Sequence, residues 1–305
     1  MNGSPIIVIA GPTACGKSEA ALLLAERLGG EIVSVDSMQV YRGMDIGTAK
    51  PSAEERTRVP HHLIDVADIT EPFDAAQFAK HAQQAAAAIQ QRGRVAILCG
   101  GTGLYFRAFF EGVGAGPAGD PKLRAELERI PLKKLLEELR QHDPATWDKI
   151  DRRNPRRVIR AIEVIRKTGR PFSEQKDPWS ALPVPNGFGL RRETGDLHER
   201  INRRVDGMFA QGLVAETQEL LKRGLSDNPT AMQALGYRQV IEHLRGDRSL
   251  KETIDLVKLR TRQFAKRQLT WFRGQMQLQW IDVAPTQSAS GIADQIFQTI
   301  GTTKE

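Results

Sequence analysis

The sequence predicts an α/β fold with a parallel sheet at its core and a helical domain inserted into it. Three observations point there. Short β-rich apolar runs alternate with helical segments, the first run passes straight into a glycine loop, and a charged helical stretch is bracketed by Gly/Pro-rich breaks. In sheets built this way, ligands bind at the carboxyl ends of the strands.

Ile6–Ala10 is a continuous apolar run, the signature of a central parallel strand covered on both faces. Glu31–Asp36 repeats the signal, His61–Val66 is a candidate third strand, and Val95–Cys99 is a clearer one. The last runs into Gly100-Gly101-Thr102-Gly103 and an apolar helix start at Leu104-Tyr105-Phe106. Between these strands, Asp74 and Gln77 have capping-box spacing and Phe73 and Phe78 have staple spacing, so a helix is expected to start there and to stop near Gly93. Composition breaks at Gly112–Gly119 and again at Pro183-Val184-Pro185-Asn186-Gly187. These breaks divide the chain into a core of residues 1–112 and 186–305, ending in basic helices, and a helical insertion of residues 113–185. The best helix of the insertion has Asn154 as N-cap, Pro155 at the first position and Gly169 as its stop, with Val158, Ala161, Ile162 and Ile165 on the buried face. Phe188–Arg191 is expected to rejoin the sheet, and long helices to carry the remainder.

At 305 residues the chain can bury one large core and a smaller appendage. Its net charge of +7 with ordinary hydrophobic content suits a polyanionic partner. The two cysteines, Cys15 and Cys99, sit in apparent βα turns and form neither a disulfide framework nor a zinc site, as expected of a reduced, cytoplasmic protein. The amino terminus has no basic leader region, and no stretch reaches the roughly 18–20 apolar residues of a membrane span. No membrane association is expected.

Gly11-Pro12-Thr13-Ala14-Cys15-Gly16-Lys17-Ser18 fits G-x-x-x-x-G-K-[ST] between a strand and a helix, which makes the sheet P-loop NTPase-like. The glycines let backbone N–H groups converge on phosphate oxygens, Lys17 adds a full charge, and Ser18 is positioned to hold Mg²⁺. The motif specifies a diphosphate or triphosphate and does not distinguish ATP from another ligand. Asp36, at the end of the second strand, faces the phosphate site. By itself a strand-end Asp is more often a cap or a magnesium-water ligand than a general base.

The text around Asp36 narrows the choice. GPTACGKS, SVDSMQVYRGMDIGTAKP, HHLIDV, GGTGLYFRA, RRVIRAIEV, RINRRVDGM, ALGYRQ and KRQLTWFR occur in this order over nearly the whole chain. The set resembles the tRNA dimethylallyltransferase family, also called tRNA isopentenyltransferases. The resemblance implies an enzyme that uses the loop to hold dimethylallyl diphosphate and transfers its prenyl group to N6 of the adenine 3′ of the anticodon.

The same resemblance implies that Asp36 is the general base, with Thr102 beside it on the target nucleotide and Ser37, Met38 and Gln39 lining the base pocket. A threonine in that place also serves as a helix N-cap. Gly11, Thr13, Ala14, Cys15, Gly16, Lys17 and Ser18 would hold the diphosphate with Mg²⁺, and Arg204 and Arg200 would clamp it. Contacts to the anticodon stem-loop are implied for Arg124, Arg156, Arg157, Arg160, Gln233, Gly236, Tyr237, Arg238, Lys266, Arg267 and Arg273. Arg156 stands where bacterial members commonly have glutamine, and the Cys/His zinc finger of eukaryotic relatives is missing, so the resemblance is to the bacterial type. A monomer is expected.

Two basic faces agree with an RNA partner. Arg156, Arg160 and Lys167 share a face of the insertion helix opposite the aliphatics, and Lys258, Arg262 and Lys266 recur at four-residue spacing in the last long helix. Leu269, Phe272 and Met276 suggest that this last helix also packs on the core, with Trp271 either stacked on a base or adjacent to the core. Three other readings stand beside this one. A P-loop kinase or ATPase would want an acid after Val95–Cys99, where the chain reads GGTGLY. A prenyltransferase for free adenine nucleotides would have no need of the basic helices, and a non-catalytic RNA-binding module would leave the P-loop unexplained.

Overall fold

The computed structural model describes residues 5–112, 117, 119–175 and 181–302. The chain start at Met1–Ser4 and most of the Gly112–Gly119 break lie outside the described residues. The chain divides into two compact units, Met1–Gly112 with Ala181–Glu305, and Val113–Ser180.

In the first unit, the chain runs β1 (Ile6–Ala10), α1 (Lys17–Leu28), β2 (Glu31–Val35), α2 (Ala53–Arg58), β3 (His61–His62), α3 (Ala75–Gln91), β4 (Ala96–Gly100) and α4 (Gly103–Glu111). The second unit holds α5 (Pro121–Glu128), α6 (Leu132–His142), α7 (Pro144–Lys149) and α8 (Pro155–Thr168). The first unit resumes with β5 (Leu182–Arg192), α9 (Thr194–Ala210), α10 (Leu213–Lys222), α11 (Tyr237–Leu244), α12 (Leu250–Gln275), β6 (Met276–Val283) and α13 (Ala289–Thr302).

The strands form one six-stranded sheet in the order β3-β2-β4-β1-β5-β6, parallel throughout. Its central strands are continuous apolar runs because both faces are covered. Val8, Ala10, Val33, Val35 and Leu98 point into a core closed by α3, α4 and α11. Ile7, Ile9, Ile32 and Ile97 point into a second core closed by α1 and α13. Each fully buried Val or Ile stabilises the fold by about 1.5–3 kcal/mol relative to exposure.

The helix α3 starts where the capping pattern places it. Asp74 accepts hydrogen bonds from Ala76 and Gln77 N–H, the Gln77 side chain returns to Asp74 N–H, and Phe73 and Phe78 are both buried. Gly93, with φ 71°, ends the turn beyond its last residue. Three sequence expectations are corrected. The third strand is only His61–His62, because Leu63 and Asp65 take positive φ values of 62° and 57° and turn the chain out of the sheet. Pro183–Gly187 is no break but part of β5, where an irregular register between Pro183 and Phe188 accommodates the prolines. Met276 belongs to β6, the edge strand beside β5, and not to the last helix.

Within the second unit, α8 is capped by Asn154, which accepts from Arg157 N–H, and ends at left-handed Gly169. Val158, Ala161, Ile162 and Ile165 are buried with Leu127, Leu135 and Leu139. Ile159, Glu163 and Val164 are buried as well, so the covered face is wider than the aliphatic stripe alone predicts.

Candidate functional site

Between β1 and α1 the backbone curls around an anion-sized cradle. Ala14 and Gly16 have φ values of 63° and 99°, which turn successive N–H groups inward, and at Gly16 only glycine takes that φ without strain. Gly16 caps α1 with no side-chain hydrogen bond, so the first N–H groups of the helix are open to an incoming phosphate. Lys17 Nζ donates to Pro12 O at 3.1 Å, which holds the ammonium over the loop.

The cradle opens into a cleft of about 1090 Å³, walled on one side by the 45–56 segment and on the other by α9. Lys17 and Ser18 line it together with Arg200 and Arg204, so two pairs of residues far apart in sequence face one cleft. Arg200 Nε donates to Ala14 O at 3.0 Å, fixing α9 to the loop. Burial pushes the Arg204 pKa down, and the neighbouring Asp36 carboxylate works against that by favouring the charged guanidinium. Cys15 is buried beneath the loop, its carbonyl accepting from Arg192 Nε at 3.0 Å, so any phosphate contact it makes is through its backbone. Burial raises the Cys99 thiol to about 12, which leaves it inert as a nucleophile.

Asp36 holds the turn that follows β2. Its Oδ1 accepts from Met38 N–H at 2.8 Å and from Gln39 N–H at 3.3 Å, and Oδ2 makes no hydrogen bond to a described residue. One oxygen therefore caps the turn and the other has no hydrogen-bond partner among the described residues. Thr102 stands at the N-cap position of α4, but its hydroxyl caps nothing there. It accepts instead from Ser37 N–H at 3.1 Å, which ties the end of β4 to the turn after β2. Asp36 and Thr102 are not among the residues that wall the cleft, although Asp36 is near enough to Arg204, which does, for their charges to interact.

Several assignments change. The Gln39 amide is engaged at both ends, its Oε1 accepting from Ser34 Oγ and its Nε2 donating to Thr48 O and Ala49 O, so it braces the pocket and does not present a free edge to a base. Tyr237 is 0% exposed, its hydroxyl donating to Glu216 at 2.6 Å and accepting from Gly47 N–H, and Gly236 is buried beside it, so neither meets a partner's surface. Gln233 and Arg238 are exposed, the latter paired with Glu242. On α12, Lys258 is held by Asp206 at 2.6 Å, whereas Lys266, Arg267 and Arg273 are exposed. Trp271 is half-buried against the backbone of Gly103, which is the core-adjacent alternative.

Arg124 and Arg160 are not free basic groups. Both pair with Glu163, which is 0% exposed: Arg124 Nε at 3.0 Å and Arg160 Nη1 at 2.7 Å, while Arg160 Nη2 donates to Pro117 O. Arg156 and Arg157 remain exposed on the same helix. Burial works to raise the Glu163 pKa, but the bonds from Arg160, Asp120 N–H and Arg124 prevail and hold it below the usual carboxylate range. A depressed folded pKa contributes stability that is fully present above about pH 4.3 and is lost as pH falls through the folded value. Glu163→Gln is expected to lower stability by about 1–3 kcal/mol, because the arginines that lose their partner are partly exposed and regain water. A thermal melt of the full chain at pH 7 and at pH 4 checks it, with the difference from wild type shrinking at the lower pH.

The cleft also holds residues that the motifs quoted without assigning, or missed. Lys50 is only 2% exposed in its side chain and donates to Tyr41 O, Asp45 and Asp65, so all its protons are engaged. Asp65 accepts from Arg56 at 2.8 Å with its other oxygen. Burial works to raise Asp65, yet the bonds from Lys50 and Arg56 hold its pKa below the ordinary value. Lys50, Asp65 and Arg203 lie within three of the quoted motifs; Arg56, which also lines the cleft, had no signal in the sequence.

Ser18 is exposed at the cleft, and among the described residues no group of three His, Cys, Asp or Glu side chains comes together as a metal site. No helix among the described residues is long and apolar enough to cross a membrane.

Comparison with known proteins gives consistent matches. Residues 39–275 match the family model for IPP transferase. The chain is 46% identical over 302 residues to a tRNA dimethylallyltransferase of Desulforudis audaxviator, covering 97% of each chain. It is 47% identical over 287 residues to tRNA dimethylallyltransferase 1 of Trichlorobacter lovleyi, covering 90% of this chain and 93% of the relative. Among solved structures, it is similar to a tRNA isopentenylpyrophosphate transferase from Bacillus halodurans, with TM-score 0.72 and 41% identity over 98% of this chain and 96% of the other. It is also similar to a eukaryotic dimethylallyltransferase acting on tRNA, with TM-score 0.77 and 27% identity over 98% of this chain and 79% of the other.

Proposed function

The chain belongs to the tRNA dimethylallyltransferase family, and on that premise we propose that it transfers a dimethylallyl group from dimethylallyl diphosphate to N6 of the adenine 3′ of the anticodon in tRNA. The observation that carries the reading is the position of Arg204. It lines the cleft with Lys17 and Ser18 and is the electrostatic neighbour of Asp36, so one residue spans the phosphate site and the carboxylate.

The chemistry follows from that juxtaposition. The exocyclic amine of adenine is a poor nucleophile because its lone pair is delocalised into the ring. As N6 bonds to the first prenyl carbon, the bond from that carbon to the diphosphate oxygen breaks, and Asp36 Oδ2 takes the proton from N6. Lys17, Arg200 and Arg204 stabilise the charge that grows on the departing diphosphate. Ser18 Oγ, with phosphate oxygens, suits Mg²⁺, which binds through few protein oxygens and keeps its waters; when bound it would neutralise part of that charge. The adenine has to be extruded from the anticodon loop to reach Asp36.

Incubating the protein with labelled dimethylallyl diphosphate and unmodified tRNA should place the label in N6-modified adenosine. Label absent from RNA, together with tRNA-stimulated hydrolysis of ATP, would favour the kinase or ATPase reading instead. The exposed cations of α12 belong to the proposed RNA surface. Lys266→Glu is therefore expected to weaken binding to every tRNA substrate and to reduce the salt slope by about 1, with donor affinity in the absence of RNA unchanged. An unaltered tRNA KM and slope would remove this side of α12 from the interface.

A further inference from the structure

One buried side chain on α12 joins the two halves of the proposed site, and neither the P-loop motif nor the basic stripe accounts for it. Gln268 Oε1 accepts from the P-loop N–H of Thr13 at 2.9 Å, and its Nε2 donates to Gly101 O at 2.8 Å. The residue is 8% exposed, and both bonds are long-range, so the amide is a deliberate bridge and not a helix-surface side chain that happens to be covered. Thr13 N–H is consequently not one of the groups free to meet a phosphate.

The approach is close enough to require glycine. A Cβ on Gly101 would lie 2.3 Å from Gln268 Nε2, and one on Gly103 would lie 2.1 Å from the Trp271 ring. The Gly100–Gly103 turn is thus shaped to receive α12 at two consecutive points. From Gly101 the connection continues: Thr102 N–H donates to Val35 O at 3.2 Å, and the Thr102 hydroxyl accepts from Ser37 N–H, one residue beyond Asp36. A continuous hydrogen-bonded path therefore runs from the diphosphate loop, through Gln268, to the turn that holds the carboxylate.

We propose that Gln268 is a positioning residue for the transfer reaction, setting the spacing between the P-loop that would hold the prenyl diphosphate and the Asp36–Thr102 turn that would receive the adenine. The inference rests on the reading under Proposed function. The reason such a spacer matters is geometric: the prenyl carbon and N6 are anchored by different loops, and a displacement of about 1 Å between reacting groups can cost about 10²-fold in rate. Gln268 follows directly on Lys266 and Arg267, which face solvent on the same helix, so RNA held by those cations would bear on the spacer itself.

The test compares single-turnover transfer by the full-length wild type, Gln268→Leu and Gln268→Glu, with both substrates saturating, beside tRNA KM and a thermal melt. Gln268→Leu removes both bonds at similar volume; Gln268→Glu keeps the acceptor for Thr13 and sets an anion against the Gly101 carbonyl. Both are expected to lose about 10²-fold in the transfer step, with tRNA KM within about threefold of wild type. A merely structural role would lower the melting temperature and leave the folded enzyme's saturated rate intact. If Gln268→Leu does not fold, Gln268→Glu carries the same expectation. Folded variants with a wild-type rate, or a loss confined to tRNA KM, would overturn the proposal while an active wild type leaves the function standing. A wild type that transfers no prenyl group to tRNA would overturn both.

Discussion

Asp36→Asn is expected to lower single-turnover prenyl transfer by about 10²–10⁴-fold at saturating tRNA and donor, the usual worth of a general base. Stability should be preserved, because Asn Oδ1 can accept the same two bonds from Met38 and Gln39 N–H that the aspartate accepts now. The change therefore isolates Oδ2, which in Asp36 has no hydrogen-bond partner among the described residues and would become an amide with no basicity. A thermal melt matching wild type, combined with a large loss of rate, is the outcome that separates base from cap. A folded variant with a near-normal rate would assign proton removal to the departing diphosphate or to water.

Lys17→Ala is expected to act on donor and chemistry together. The ammonium sits over the P-loop, beside N–H groups left open by a helix start without a side-chain cap. The charge on the diphosphate grows as the carbon–oxygen bond breaks, so losing this group should raise KM for dimethylallyl diphosphate and also lower kcat, by about 10²–10³-fold. Binding of tRNA alone should be nearly unchanged, since no exposed face of the proposed RNA surface is altered. If KM for the donor rises with kcat untouched, Lys17 contributes only to ground-state binding.

Local patterns were legible wherever a residue's role depends on its immediate neighbours. The run Ile6–Ala10, the P-loop, the Asp74–Gln77 capping box and the Asn154–Gly169 helix limits all involve groups within a few residues of one another, and the structure has each of them at the expected position. The meeting of Lys17 and Ser18 with Arg200 and Arg204 across one cleft was legible for a different reason, namely the resemblance of separate motifs to one family. Burial of charge was not legible. Arg160 and Lys258 read as parts of basic faces and Arg124 as an RNA contact implied by the resemblance, but the acids that claim them, Glu163 and Asp206, carry no mark in the sequence that sets them apart from other acids on exposed helix faces. Tyr237 likewise lay in a quoted motif, and only packing reveals that its ring is enclosed and its hydroxyl committed to Glu216.

The sequence by itself determined the strand-and-helix alternation, the phosphate cradle and the carboxylate at the end of the second strand, because each is set by backbone preference and short-range hydrogen bonding. Tertiary structure alone decided which oxygen of Asp36 is free, which arginines are bound to buried acids, and that Gln268 links Thr13 to Gly101 across 255 and 167 residues of chain. Those outcomes depend on which groups lose water together when distant segments pack. A buried polar atom has to find its partner there, and no periodicity along the chain records where that partner is.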